Sequence, residues 1–163
     1  LNIKTNSHVI YTVQPGDTLN SIAARFASDI QSIARANHLY PPVTDPYLIF
    51  PEQVLVVPIA GNGDSATFYI VSQNERLFDI AQRFSVPTES IAVMNQLKDP
   101  NLIYIGQSLR IPALIYDIEP TDTMNGIANR FQVSVEDILR ANWQRPGFSA
   151  STIWPGYSII IPQ

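Results

Sequence analysis

Apolar residues recur along this chain in two alternating rhythms. In His8-Val-Ile-Tyr-Thr-Val13, β-branched and aromatic residues run together, which predicts a strand. Pro15-Gly16-Asp17-Thr18 then interrupts it with turn-forming residues. Leu19, Ile22, Ala23 and Phe26 follow at steps that place them on one helical face. Asp29 offers a second cap, and Ile30, Ile33, Ala34 and Ala36 predict a second helix ending near Asn37. Gln53-Val-Leu-Val-Val57, stopped by Pro58, reads as a closing strand. The predicted unit is strand–helix–helix–strand.

The unit occurs three times. Tyr11 to Phe26, Tyr69 to Phe84 and Tyr116 to Phe131 each span 15 positions, and an Asn follows 11 positions later, at Asn37, Asn95 and Asn142. Each copy closes on an apolar-Pro pair: Val57-Pro58, Ile111-Pro112 and Ile161-Pro162. From Asn to Pro the gaps are 21, 17 and 20, so the loop before the closing strand is the variable part. The fold class predicted is α+β: three tandem βααβ modules, each a two-stranded antiparallel sheet with two helices on one face. The modules cover 8–58, 67–112 and 114–162, with 59–66 as a flexible linker. Ile59-Ala-Gly-Asn-Gly-Asp-Ser-Ala66 has linker composition, whereas only Ala113 separates Pro112 from Leu114. Copy one is therefore expected to move freely, and copies two and three to keep a fixed orientation.

Composition narrows the possibilities. Units of about 45 to 50 residues lie near the lower limit for independent folding. The chain has no Cys and two histidines, His8 and His38, so neither disulfides nor a metal is predicted to brace it. Each unit must rely on a compact apolar core or on its neighbour. A net charge of −4 argues against a nucleic-acid partner, and no apolar run approaches the ~20 residues of a membrane span. There is no Cys nucleophile and no Gly-x-Ser-x-Gly elbow. Asp17 and Asp122 hold equivalent positions in different copies, which does not suggest a glycosidase carboxylate pair. No catalytic residue, metal site or cofactor is predicted.

The segments quoted resemble the LysM repeat family. The resemblance rests on Tyr11, Val13, Gly16-Asp17-Thr18-Leu19, Ile22-Ala23, Phe26, Ile33 and Asn37 in copy one. In copy two it rests on Asn95, Leu97 and Gly106-Gln107-Ser-Leu109-Arg-Ile111-Pro112, and in copy three on Asp122-Thr123, Ile127-Ala128, Phe131, Ile138, Asn142 and Pro155-Gly156. Copy two departs from the pattern, with Asn74-Glu75-Arg76 in place of Gly-Asp-Thr; copy three has Thr121 for the Gly, and copy one has Pro51-Glu52-Gln53. The resemblance implies noncatalytic, multivalent binding of glycans containing N-acetylglucosamine. Bacterial peptidoglycan of the wall or spore cortex is favoured, with chitin oligomers as the other candidate, in an extracellular, cell-wall or spore-surface setting.

By the same resemblance, the sugar lies between the strand–helix turn and the loop after the second helix. Carried over, this gives Gly16, Asp17 and Thr18 facing His38, Leu39, Tyr40 and Ile49 in copy one. Copy two gives Glu75 and Arg76 facing Leu97, Lys98, Asp99 and Ile103; copy three gives Asp122 and Thr123 facing Trp143 and Ile153. Each residue also has a structural reading. Gly16 suits a turn, Asp17 and Thr18 suit helix caps, and the three Asn suit helix C-termini. Trp143 and Trp154 suit either packing between units or ligand contact. The alternative function is a structural or protein-interaction module in an envelope or spore coat, or the targeting region of a cell-wall hydrolase. Its partners would be a hydrolase domain or a coat protein. Burial of Tyr40, Tyr47, Trp143 and Trp154 against other elements would favour that alternative; open grooves lined by them would favour glycan.

Overall fold

Each repeat is built around two helices too short to persist alone. The computed structural model describes residues 6–60 and 65–163. In repeat one, β1 (His8–Thr12) leads to α1 (Leu19–Arg25), α2 (Ile30–Ala36) and β2 (Val54–Pro58). Repeat two contains β3 (Thr67–Ile70), α3 (Leu77–Arg83), α4 (Thr88–Met94) and β4 (Ser108–Ile111). Repeat three contains β5 (Ala113–Asp117), α5 (Met124–Phe131), α6 (Val135–Ala141) and β6 (Ser158–Pro162). Isolated helices of seven or eight residues are unstable in water. Caps and packing hold them here. Thr18 accepts from Ser21 N at 3.0 Å while the Ser21 hydroxyl accepts from Thr18 N at 3.0 Å, a reciprocal capping box. Asp29, Thr123 and Ser134 cap α2, α5 and α6 through side-chain oxygens.

The repeated Asn ties the end of each second helix to the closing strand. Asn37 Nδ2 donates to Ile33 O and Val56 O, both at 2.8 Å, and its Oδ1 accepts from Val56 N at 2.9 Å. Asn142 repeats this with Ile138 O, Ile160 O and Ile160 N. Asn95 does so with Ile91 O, Arg110 O and Arg110 N. One carboxamide thus satisfies a helix-terminal carbonyl and both polar groups of a strand residue.

Each repeat contains the expected antiparallel strand pair, β1 with β2, β3 with β4 and β5 with β6. The pairs of repeats one and two then merge. β1 and β3 run parallel, His8 to Ile10 opposite Thr67 to Tyr69, giving a four-stranded sheet in the order β2-β1-β3-β4. Val9, Tyr11, Leu55, Val57 and Ile70 share a core with Ile22 and Ile33 of repeat one's helices. Ile10, Val54, Val56 and Tyr69 share a different core with Ile80, Phe84 and Ile91 of repeat two's helices. The two helix pairs therefore cover opposite faces of one sheet. Ile115, Ala141 and Ile160 of repeat three enter the second core, while repeat three's helices cover Tyr116, Ile159 and Ile161.

This arrangement corrects the expected freedom of repeat one. Residues 61–64 of the predicted linker lie outside the described residues. Their neighbours, however, feed two strands that pair with each other, and Ile59 N donates to Ser7 O while His8 N donates to Ala66 O. Linker composition describes the tether; the unpaired edges of β1 and β3 determine whether the units join.

Repeat three is fastened to both others. Arg145 is buried, and its guanidinium donates to Asn142 Oδ1 (3.0 Å) and Ser158 O (2.7 Å) within repeat three. It also donates to Asn37 Oδ1 (2.8 Å) and Ala36 O (3.2 Å) in repeat one. Burial pushes its pKa down, and its Cζ lies 4.6 Å from the centroid of the Tyr157 ring. Val54 N donates to Gln144 O, and a Cβ on Gly147 would stand 2.6 Å from a Val43 methyl. Toward repeat two, Arg83 donates to Trp143 O at 2.5 Å, and Ser85, Asp137 and Arg140 form a polar cluster.

Asn142→Ala should destabilise the chain by about 2–4 kcal/mol, because it strands both polar groups of buried Ile160. Asn95→Ala, whose strand partner Arg110 is exposed, should cost less. Urea unfolding of both variants tests the order.

Candidate functional site

The strand–helix turn of every repeat is held by one acid. Tyr11 donates to Asp17, Tyr69 to Glu75 and Tyr116 to Asp122, each at 2.6 Å. The same carboxylates accept from the turn amides of Gln14, Ser72 and Glu119. Glu75 thus performs with a longer side chain what Asp17 and Asp122 do. Asn74 enters the left-handed region at φ +63, near the +88 of Gly16, a conformation that Asn tolerates better than most residues. The turn of repeat two keeps its anchor despite its divergent sequence.

Burial and these contacts set the ionisation of the turn. The Tyr116 hydroxyl is pushed up to about 12, first by burial and then by its bond to Asp122. Burial alone would raise the Asp122 carboxyl. The Tyr116 hydroxyl, the Glu119 amide and Arg130 outweigh it, and the group lies below its ordinary value. Tyr11 is likewise pushed up to about 12 by burial and Asp17. These acids serve the fold.

Beside the turn, repeats two and three each open a groove. In repeat two it holds about 410 Å³ and is lined by Glu75, Arg76, Leu77, Phe78, Thr88, Pro100, Asn101 and Ile103. In repeat three it holds about 510 Å³ and is lined by Asp122, Thr123, Met124, Asn125, Val135, Ala150, Ser151 and Ile153. Counted from the shared Tyr, the shared Phe and the closing Pro, these are the same eight positions of the repeat. Two copies of one sequence pattern therefore build one cleft at one place, with an apolar floor and amide or hydroxyl groups at the rim.

Of the residues expected here, Glu75, Arg76 and Ile103 meet in the first groove, and Asp122, Thr123 and Ile153 in the second. The others do not join them. Leu97 packs against the core, and Pro100 and Asn101 line the groove where Lys98 and Asp99 were expected. Trp143 stands 68% exposed and outside the groove lining. In repeat one, Gly16 is exposed and Thr18 caps α1. Leu39 is fully buried, which removes it from any ligand surface. His38 stacks on Trp154 of repeat three, with centroids 4.9 Å apart, and burial lowers its pKa. Tyr40 meets His38 and Tyr47 edge-on, and Ile49 packs against the repeat-one core. The missed positions were legible. Counting back from the closing Pro, rather than forward from the Asn, aligns Pro100-Asn101 with Ala150-Ser151 and places Ile49, Ile103 and Ile153 in one register.

A larger cleft of about 690 Å³ lies between repeats one and two, where Gln14, Pro15 and Glu52 face Gln73, Asn74 and Glu75. Among the described residues, no His, Asp and Glu group could hold a metal ion, and no helix is long and apolar enough to cross a membrane.

A family model described as LysM domain matches residues 11–58, 69–112 and 116–162. Among curated proteins, the chain is 34% identical over 118 residues to N-acetylmuramoyl-L-alanine amidase sle1 of Staphylococcus epidermidis, covering 66% of this chain and 35% of that protein. It is 26% identical over 188 residues to Secreted LysM effector ECP6 of Passalora fulva, covering 98% of this chain and 79% of that one. Among solved structures, the spore cortex-lytic enzyme SleL of Bacillus cereus is 30% identical, covering 69% of this chain and 23% of that chain with a TM-score of 0.45. The chain spans 21% to 35% of the length of the first curated relatives it matches.

The Tyr116 hydroxyl gives a pH signature. Its folded value of about 12 lies above the ordinary 10.0, so its stabilisation is complete below pH 10 and is lost as pH rises through 12. For Asp122 the sign is opposite: its contribution is present above the ordinary carboxylate value and lost as pH falls through the lowered one. Tyr116→Phe should shrink the absorbance step at ~295 nm near pH 12 and cost about 1 kcal/mol. Alkaline spectrophotometric titration with urea unfolding checks both.

Proposed function

Because the chain belongs to the LysM domain family in three successive segments, we propose that it is a noncatalytic, multivalent binder of glycans containing N-acetylglucosamine. Bacterial peptidoglycan is the favoured polymer, and chitin-type oligomers share its acetamido chemistry. The observation that carries this reading is the coincidence of the two grooves. Eight equivalent positions in repeats two and three line a shallow cleft beside an anchored turn. A shallow cleft lined by apolar side chains with polar groups among them suits a sugar ring, whose C–H face is apolar and whose edge carries hydroxyl and acetamido groups.

The relatives support the same setting. One is an amidase named for an N-acetylmuramoyl substrate, and another is a secreted effector. We accordingly place this chain outside the cell, at a glycan wall or spore surface, as a binding segment that directs a hydrolase or acts by itself. Catalysis is assigned to no residue of the chain. Gly16, Asp17, Thr18 and Ile49 are retained as the proposed contact positions of repeat one.

Isothermal titration with N-acetylglucosamine oligomers should give heat, with affinity increasing with oligomer length. Ala150→Arg, which fills an exposed position of the repeat-three groove, should remove one short-oligomer site. If the wild-type chain gives no heat and stays in solution over insoluble peptidoglycan and chitin, the reading is overturned.

A further inference from the structure

The groove of repeat two carries a side chain that its fold does not need. Phe78 stands at the second position of α3 and is 52% exposed. At the equivalent position repeat one has Asn20 and repeat three has Asn125, both exposed. Three copies of one fold therefore act as internal controls: the helix forms equally well with a small polar residue there. An aromatic ring left half in water forgoes much of the burial that makes such residues useful in a core. Here it lines the groove together with Pro100 and Ile103.

The ring is also held in place. Arg76 Cζ lies 5.8 Å from the Phe78 ring centroid. The guanidinium is itself fixed by a two-pronged pair with Asp79, Nε to Oδ2 and Nη2 to Oδ1, both at 3.0 Å, while Arg76 N donates to Asp79 Oδ2. Neither repeat one nor repeat three has this triplet, since Thr18-Leu-Asn-Ser21 and Thr123-Met-Asn-Gly126 stand in its place. The residues that made repeat two look divergent thus form one device: an acid orients a guanidinium, which flanks an aromatic wall.

We infer that Phe78 is a sugar-stacking platform, positioned by Arg76 and Asp79, that makes the repeat-two groove a binding site for a pyranose ring of an acetamido-sugar oligomer. The ligand class follows from the chemistry of the walls. The opposite charges of Arg76 and Asp79 cancel in an exposed pair, and Glu75 is engaged by Tyr69 and Ser72, so the groove carries no net positive charge to attract an anion. What remains for a ligand is an aromatic face, an apolar floor and the Thr88 and Asn101 side chains. That set favours an uncharged sugar over an anionic one. The inference rests on the glycan-binding reading above and adds the residue that distinguishes one repeat from the others.

The test uses the full chain and the N-acetylglucosamine tetramer, followed by NMR shifts of groove residues in repeats two and three. Phe78→Asn, which installs the residue of the other two repeats, should weaken binding at the repeat-two groove roughly five-fold. It should leave shifts at Thr123 and Ser151 of the repeat-three groove unchanged. Phe78→Trp should preserve affinity and give an indole emission change on sugar addition beyond that of Trp143 and Trp154 in the wild-type chain. Asn125→Phe should strengthen the repeat-three groove. If the wild-type chain binds and Phe78→Asn binds equally well at repeat two, the platform is overturned while the glycan reading stands. If the wild-type chain binds but not at the repeat-two groove, the platform falls and the glycan reading stands; if it binds nowhere, both fall.

Discussion

One carboxamide per repeat holds this molecule together. The end of a short helix leaves carbonyls without partners, and the strand beside it has one residue whose N–H and C=O face that end. Asn37, Asn95 and Asn142 close both gaps at once, two donors outward and one acceptor inward. No other side chain of that length has both a double donor and an acceptor; Asp cannot donate, and Leu leaves buried polar groups stranded. Arg145 then uses what the carboxamides leave over. It donates to Asn37 Oδ1 and Asn142 Oδ1, so the clamps of repeats one and three share a single cation. The oxygen of Asn95 accepts from Arg110 N, and repeat two joins repeat one through the sheet instead.

The second constraint is size. A unit of about 45 to 50 residues buries too little apolar surface to stand comfortably alone. Strands apolar on both faces imply cover on both. β2 and β6 are buried along nearly their whole length, and the faces turned from their own helices, Val54, Val56 and Ile160, enter the core built around repeat two. β4 alternates exposed and buried, as a strand with one wet face should. The repeats are therefore separate in sequence but share a core. A mutation in the back face of one repeat is felt by another.

Much of this was legible in the sequence. The periodicities predict the strands and helices, and in repeat one a cap such as Asp29 and a break such as Pro58 mark where they end; repeat two keeps the same elements without side-chain caps. The three-fold register identified the Asn as structural. Two things were not read. The flexible composition around Gly61 and Gly63 suggests free units, whereas the apolar back faces of β1 and β2 imply a cover. And the loop before each closing strand varies in length, so residues placed by counting from its start, such as Lys98 and Trp143, fell outside the grooves. Counting from its end would have found Ala150 and Ser151. His38 and Trp154 illustrate a further limit: their stacking depends on how repeats one and three dock, and no local pattern encodes that.

The locked arrangement changes what the proposed multivalent glycan binding would involve. Repeats on flexible tethers raise the effective concentration of each site but lose entropy whenever a second site engages. Here the grooves of repeats two and three are fixed through Arg83, Ser85, Asp137 and Arg140, and that ordering was completed during folding. A rigid pair gains affinity when the polymer presents two sugars at its spacing and loses it when the polymer does not. Rigidity thereby makes the geometry of the polymer, rather than the identity of one sugar, a selectable property. Under the proposed reading, the shared core makes the spacing of two shallow grooves a fixed property of the fold.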